Sequence, residues 1–375
     1  SVLRCLPLWH FDLELARRKL CEQFQTQDLK AFDCDDMAAG LVAAGCLLNY
    51  AQDAHRGALP HLRRIKVERV SDSILIDPQS RRNLELELNL SGGRDNTLLS
   101  VLDKTVTSMG ARLFRRWLLR PLRNTDVLVE RQRAIQQFID RQGVSASQSL
   151  LKQLGDIERV LSRIALRTVR PRDFMQLRNA LVLLPELHVA FAPYVASRIM
   201  QLDRELGHFA ELRTLLESAL VDEPPVLIRD GGVIAEGYNT ELDQLRHIRD
   251  EADGFLRDIE QRERGRTGVS TLKVGYNRVH GYYIEMSRQQ GDDIPADYVR
   301  RQTLKNAERY ITPELKSFED KVLTANEKAL VLEKQLYDGL FDKVMPELAT
   351  LQVSAQAMAE LDVLVNLAER ADSLD

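Results

Sequence analysis

The chain has 375 residues, a net charge of −4 and a pI near 6.1, so it is not a protein that binds polyanions over its whole surface. No apolar run approaches the roughly 18 residues of a membrane-spanning helix, and the length predicts two or three modules. All four cysteines lie in the first 46 residues without metal-ligand spacing. We therefore expect reduced thiols, a cytosolic protein and no metal site.

The first module, residues 1–73, combines predicted helices with predicted strands. Apolar residues recur at helical spacing over Leu13–Phe24, and residues 37–50 are rich in Ala and Leu. Residues 65–70 and 73–76 instead have the composition of short strands. The pattern predicts a small α/β module.

From residue 74 onwards the pattern is mainly helical. Regularly spaced apolar residues over 97–119 predict one helix that stops before Pro121. Further helices are predicted over residues 124–142, 147–167, 171–192 and 195–220. The chain is therefore predicted to be mainly α.

Two later segments share a narrow apolar seam, with apolar residues at alternating steps of three and four. A seam this narrow cannot form a globular core, so it predicts two long helices packed antiparallel, over residues 238–266 and 306–345. The alternative, two unrelated amphipathic helices of a bundle, stays open. Between the two segments, residues 271–286 hold β-branched and aromatic residues broken by Gly275 and Gly281, which predicts two short strands around a turn. A small β-rich unit would then cap the helical arms.

This cap coincides with the most basic part of the chain. Residues 262–310 hold ten Lys or Arg against six Asp or Glu, a local charge of +4. Phosphate contacts require cations and hydrogen-bond donors but no reading of bases. The residues that meet this description on one stretch are Arg300, Arg301, Lys305, Asn306 and Arg309. Lys305 and Arg309 would share one face of a helix, and a solvated basic loop is the alternative.

Catalytic motifs are missing from the sequence. It contains neither Gly-x-x-x-x-Gly-Lys-Ser/Thr nor Gly-x-Gly-x-x-Gly, the two common phosphate cradles. His280, the one histidine in the basic segment, is more often structural in such a position than a general base. We expect no catalytic residues in this chain.

Several stretches resemble the MutS family of DNA mismatch repair proteins. Residues 81–86, 91–93, 99–103, 107–112 and 115–118 resemble its core domain, residues 279–284 and 301–310 resemble its clamp, and residues 318–323 and 359–364 resemble its returning lever. Because these sequence motifs occur in the same order as in the family and span nearly the whole chain, the resemblance is specific.

The resemblance implies an internal part of a bacterial mismatch repair protein. Its domains would be the end of the connector at 1–73, the core and lever at 74–252 and 313–375, and the β-rich clamp at 253–312. In the family the lever carries the clamp, which grips duplex DNA by its backbone without sequence preference, and nucleotide state opens the clamp. The DNA-contacting residues that the resemblance implies are Asn277, Arg278, Arg301, Lys305 and Asn306. As exposed cations, Arg301 and Lys305 would be replaceable without loss of stability.

The resemblance also implies partners. The connector would face MutL, with Arg18 and Lys19 as candidate contacts. Homodimerisation and the use of ATP and Mg would belong to the intact parent, so this chain would need no cofactor and would lie in the bacterial cytoplasm without a membrane partner. Two other functions stay open: a mechanical coiled-coil module whose β tip binds protein, and a nuclease whose site has no recognised motif.

Overall fold

A computed structural model describes residues 5–55, 59, 62, 65–250, 252–277, 281–287 and 294–374, and the fold is mainly α, as the sequence predicts. The helices are α1 (Leu13–Phe24), α2 (Ala38–His55), α3 (Pro78–Asn83), α4 (Leu98–Leu102), α5 (Ser108–Leu119), α6 (Thr125–Asp140), α7 (Val144–Leu151), α8 (Ile157–Ala165), α9 (Pro171–Phe191), α10 (Ser197–Leu206), α11 (Ala210–Ala219), α12 (Thr240–Asp250), α13 (Ala252–Thr267), α14 (Pro313–Val344) and α15 (Leu348–Ser373). The strands are β1 (Lys273–Asn277), β2 (Gly281–Ser287), β3 (Val299–Thr303) and β4 (Ala307–Ile311).

The chain divides into two compact units, one made of Ser1–Glu217 with Phe341–Asp375 and the other of Ser218–Leu340. The domain bounds at residues 73, 252 and 312 stay a prediction. None of the helices in the described part of the chain combines the length and apolar character needed to cross a bilayer.

The start of the first unit is a pair of packed helices, α1 and α2. Asp12 caps α1 by accepting a hydrogen bond from the Leu15 N–H at 2.7 Å. Gly45 lets α2 approach closely, because a Cβ at that position would overlap Ala16. Buried residues of both helices and of the loop between them form a common core, which includes Leu20, Leu29, Leu41 and Leu48.

The strands predicted at residues 65–70 and 73–76 do not form. Residues 65–69 are irregular, Val70–Asp72 is a 3-10 turn, and Ser73 makes only an isolated bridge to Leu122. A strand requires a neighbouring strand with which it forms a continuous ladder of hydrogen bonds. This segment instead makes two isolated backbone hydrogen bonds to residues 121–123, from the Ile74 N–H to Pro121 O at 2.8 Å and from the Arg123 N–H to Asp72 O at 3.0 Å. The N-terminal module is therefore helical rather than α/β among the described residues.

The core of the first unit is built around α15, which is buried along most of its length and contacts α5, α6, α8 and α10. Its buried polar side chains bind the main chain of neighbouring segments. The Ser354 hydroxyl donates to Leu206 O at 2.7 Å. The Asn366 amide accepts from the Lys104 N–H at 2.6 Å and donates to Leu102 O at 3.0 Å.

Asp362 is the most connected of these side chains. Its carboxylate accepts from the Val106 N–H at 3.0 Å, the Thr107 N–H at 2.8 Å and the Thr107 hydroxyl at 2.6 Å. Burial raises its pKa, although these hydrogen bonds act in the opposite direction. Gly110 is required beside it, since a Cβ there would overlap the carboxylate.

These contacts explain why the single helix predicted over 97–119 is wrong. The N–H groups of Lys104, Val106 and Thr107 donate to Asn366 and Asp362 instead of continuing a helix, so the segment is α4, a loop and then α5. The helices predicted at 147–167 and 195–220 are also each two helices. Asp156 caps α8, and Gly207, at φ +71°, ends α10.

In the second unit, α12 and α13 run antiparallel to α14. Arg246 pairs with Glu333 at 2.9 Å, the rings of Phe255 and Phe318 stack with centroids 4.0 Å apart, and Arg262 pairs with Glu314. The order of these contacts agrees with the antiparallel arms predicted from the two seams. The first arm, predicted as one helix over residues 238–266, is helical as α12 and α13 on both sides of residue 251, which lies outside the described residues.

Glu333 is also the anchor of a tight turn. Its buried carboxylate accepts from the N–H groups of Gly232, Val233 and Ile234 at 3.0, 2.5 and 2.9 Å. Together with Arg246, these donors surround the carboxylate and compensate its charge. The turn is thereby fixed to α14.

The four strands form one antiparallel sheet in the order β1-β2-β4-β3. One face packs on a core that includes Ile259, Leu272, Ile284, Tyr310 and Leu315. The returning arm begins at Pro313 rather than at residue 306, because residues 307–311 are β4. Thr312 accepts from the Leu315 N–H at 3.1 Å and Pro313 has no N–H to satisfy, which together start α14.

We expect Asp362→Ala to destabilise the first unit strongly, because it removes the acceptor of the part-buried Val106 N–H and of the buried N–H and hydroxyl of Thr107. Each such group costs about 1–3 kcal/mol when unsatisfied. The matched control is Asp372→Ala, an exposed position on the same helix, which should change the free energy of unfolding by no more than about 0.5 kcal/mol. Urea unfolding followed by circular dichroism measures both. Equal stabilities would contradict the role given to Asp362.

Candidate nucleic-acid interface

The strand register places Asn277 at one end of the sheet and Lys305 and Asn306 at the other. Asn277 pairs with Gly281 at one end, whereas Ser287 pairs with Ala307 at the other. The six steps of β2 between these pairs span about 20 Å at the rise of an extended strand. Lys305 and Asn306 lie in the turn beyond Ala307 and are therefore far from Asn277.

The turn between β3 and β4 presents Lys305 and Asn306 to solvent. Both are exposed, and the turn is closed by a hydrogen bond from the Leu304 N–H to Ala307 O at 2.8 Å. The helical face predicted to carry Lys305 and Arg309 does not exist, because Arg309 lies in β4. Lys305 and Asn306 share a turn instead.

Arg301 occupies a different environment. It lies where the β3–β4 register shifts between Arg300 and Gln302, and its side chain is only 26% exposed. Its guanidinium is 3.3 Å from the Glu319 carboxylate of α14, which itself is buried. Gly281 accommodates this pair, because a Cβ there would overlap Glu319. Arg301 therefore ties β3 to α14, which sequence reasoning missed because Glu319 is 18 residues away in a separate element.

The other end of the sheet is described only in part. Asn277, the last residue of β1, is half-buried. The predicted contact Arg278 lies outside the described residues, as does His280. The structure therefore brings Lys305 and Asn306 together, and separates both from Asn277.

Most of the basic residues of segment 262–310 are neutralised within the unit. Six arginines each pair with a carboxylate, as Arg262–Glu314, Arg264–Glu260, Arg266–Asp297, Arg300–Glu308, Arg301–Glu319 and Arg309–Glu285. Lys273 and Lys305 make no ion pair among the described residues, and both are exposed. Fewer basic side chains are therefore available to a polyanion than the composition of the segment indicates.

Lys273 was not among the predicted contacts. It begins β1 opposite Glu285 and so lies toward the same end of the sheet as the Lys305 turn. Glu285 is engaged by Arg309, whose Nε is 2.8 Å away and whose guanidinium also covers the Tyr283 ring at 4.1 Å. A lysine at the start of a predicted strand was the available signal for this second cation.

The two candidate residues on α1 have different environments. Arg18 is exposed and makes an i,i+4 pair with Glu22 at 3.8 Å. Lys19 is half-buried and donates to the side chain of Asn49 on α2. Only Arg18 therefore presents its charge outward.

Among the described residues no group of three or more His, Cys, Asp or Glu side chains could hold a metal ion. Comparison with family models gives two matches. Residues 79–368 match the model described as MutS domain III, and residues 1–63 match the model described as MutS domain II.

We expect Lys305→Ala and Arg301→Ala to have different effects on DNA binding and on the melting temperature. Lys305→Ala should weaken DNA binding and leave the melting temperature unchanged, because the side chain is exposed and outside any described ion pair. Arg301→Ala should lower the melting temperature, because it leaves Glu319 buried without its cation, at a cost on the order of 2 kcal/mol. This revises the sequence-based expectation that both are dispensable for stability.

Differential scanning calorimetry and fluorescence anisotropy with a short labelled duplex measure the two properties. Lys334→Ala, an exposed lysine on α14, is the matched control for loss of one surface charge. A Lys305→Ala protein that binds like the Lys334→Ala protein would remove the turn from the interface.

Proposed function

The chain belongs to the MutS family of DNA mismatch repair proteins, and we propose that its part in repair is to grip duplex DNA by the backbone through the turn between β3 and β4. The observation that carries this proposal is the exposed Lys305–Asn306 pair at the end of the sheet. A lysine ammonium neutralises a phosphate, and an asparagine amide donates a hydrogen bond to a phosphate oxygen. Lys273, toward the same end, would add a second phosphate contact.

We propose that this grip is blind to sequence. Base reading in the major groove uses paired donors and acceptors that a helix or ribbon inserts among the base edges. The turn offers one point charge and one amide, which fit phosphate contacts. Phosphate contacts position a protein on DNA and carry no direct base information.

The two arms would carry this grip as a lever. Supporting contacts tie the sheet to both arms: the Val274 N–H donates to Glu260 of α13 at 2.9 Å, and Arg301 pairs with Glu319 of α14 at 3.3 Å. The Glu333 carboxylate then fixes α14 to the turn at residues 232–234. A displacement of α14 would therefore move the sheet, and we propose this as the route by which nucleotide state opens the clamp in an intact protein.

The remaining parts of the proposal concern partners and chemistry. We propose that the N-terminal helices contribute to a surface for MutL with Arg18 as the outward cation, that the intact protein works as a homodimer in the cytoplasm, and that ATP and Mg act outside this chain. The chain itself would hydrolyse no ATP, because its sequence has no Gly-x-x-x-x-Gly-Lys-Ser/Thr. Incubation with radiolabelled ATP and Mg would test this last point.

We expect this chain to bind matched and G·T-mismatched duplexes equally, with an affinity that falls as salt rises. Each phosphate that a lysine neutralises contributes about −0.9 to the slope of log K against log salt, so Lys305→Ala should make that slope shallower by about 0.9. Anisotropy titrations across a salt series measure both properties. Lys334→Ala should keep the slope of the unmodified chain.

Three results would contradict the proposal. Retention that does not depend on salt would favour a protein-binding tip, and metal-dependent cleavage of plasmid would favour a nuclease. A preference of about tenfold for the mismatched duplex, which is about 1.4 kcal/mol, would mean that bases are read, because phosphate contacts alone do not supply it.

A further inference from the structure

A cleft of about 760 Å³ lies in the first unit, remote in sequence from the sheet. One wall is the irregular segment of residues 66–75, and the other walls come from α5, α6 and α15. Its volume lies in the range of small-molecule sites. The apolar lining includes Leu113, Trp117 and Ile74, and the polar lining includes Arg116, Arg120 and Arg131.

Arg131 is a buried cation without an adequate counter-charge. Its side chain is 15% exposed, and its Nε is buried with no hydrogen-bond partner among the described residues. The nearest carboxylate is that of Glu360, with 4.0 Å between the Arg131 Nε and the Glu360 Oε1. That carboxylate is already bound in a two-point fork by Arg198, at 2.8 and 2.6 Å. Arg198 also has Glu205 at 4.0 Å, whereas Glu360 is the one carboxylate within 4.0 Å of Arg131 among the described residues.

A carboxylate shared by two arginines also occurs at the outer part of the cleft. Arg116 and Arg120, one turn apart on the end of α5, both pair with Glu68. Both arginines are more than half exposed, so their remaining N–H donors can reach a ligand. The charged side chains that line the cleft are six cations (Lys66, Arg69, Arg81, Arg116, Arg120 and Arg131) and four carboxylates (Glu68, Asp72, Glu158 and Glu360). Burial of a charge is costly unless it is paired, so this excess of cations favours the binding of an additional anion.

Arg131 is also held in place to receive such an anion. Its guanidinium lies over the Trp117 ring, with its Cζ 3.3 Å from the ring centroid. This stacking fixes the plane of the fork while the edge of the guanidinium stays available for hydrogen bonds. Planar guanidinium groups bind phosphate oxygens at two points, with more favourable geometry than a lysine ammonium.

We propose that this cleft binds a phosphate group, with Arg131 as the inner ligand and Arg116 and Arg120 as outer ones. The site is separate from the DNA grip proposed above and does not rest on it. The phosphate could belong to a small phosphorylated molecule or to a DNA backbone, and the two sources are separated by competition.

The test is calorimetric titration of the full chain with inorganic pyrophosphate, against sodium chloride at the same ionic strength. Pyrophosphate is kept at low concentration, because phosphate salts at high concentration stabilise proteins by exclusion from their surface. We expect saturable binding by the unmodified chain. Arg131→Met and Arg116→Gln should each weaken it by about tenfold or more, as removal of one charge-assisted contact does.

The variants are chosen to fold. Arg131→Met keeps an unbranched side chain over Trp117 and removes a charge that lacks a full partner, and Arg116 is exposed. Arg133→Gln, an exposed position on the same helix as Arg131 but not in the cleft, is the matched control and should bind like the unmodified chain. Binding no tighter than that of chloride, or equal affinity in all four proteins, would overturn the proposal.

A short duplex then identifies the source of the phosphate. Displacement of pyrophosphate by the duplex, with weaker duplex binding by Arg131→Met, would assign the cleft to DNA. Retention of pyrophosphate at saturating duplex would assign it to a small phosphorylated molecule. Because Lys305→Ala leaves the cleft intact, it should reduce duplex binding through the β3–β4 turn without changing pyrophosphate binding, so the two proposals can fail independently.

Discussion

The first unit depends on the carboxylate of Asp362, which is buried on α15 and binds the main chain of a loop 255 residues earlier in the sequence. Burial of this carboxylate is unfavourable for its ionised form, and the donors of Val106 and Thr107 offset part of that cost. The arrangement joins the two sequence segments of the unit, because α15 comes from the end of the chain and α5 from its first third. Packing of apolar faces brings these helices together, but the polar contacts decide which loop meets which turn of the helix.

The candidate interface is shaped as much by internal neutralisation as by positive charge. Six arginines of segment 262–310 pair with carboxylates of the same unit, so part of the positive charge of this segment is compensated internally. Among these pairs, Arg301–Glu319 joins the sheet to α14. Lys273 and Lys305 differ because neither forms an ion pair in the described part of the unit. A count of basic residues in a sequence therefore overestimates the surface that a polyanion meets.

The sequence was sufficient for elements whose signals are local. The helix at Leu13–Phe24, the proline-started helix at Pro171 and the hairpin of β1 and β2 follow from spacing, caps and strand composition. It was insufficient where a distant partner decides. The break at residues 103–107 depends on Asp362 and Asn366, and the environment of Arg301 depends on Glu319. The predicted start of the returning arm at residue 306 was an avoidable error. Thr312–Pro313 already marks a helix start, which leaves Ala307–Ile311 outside the helix.

The turn bound by Glu333 affects which substitutions are expected to occur together in homologous sequences. The carboxylate recognises three consecutive main-chain N–H groups, which every residue except proline supplies. A change of side chain at Val233 or Ile234 leaves those donors in place, so it does not select for a compensating substitution in α14. Correlated substitutions across homologues should therefore be weak between Glu333 and the turn. Methods that infer contacts from such correlations would miss one of the best-satisfied charges in the second unit.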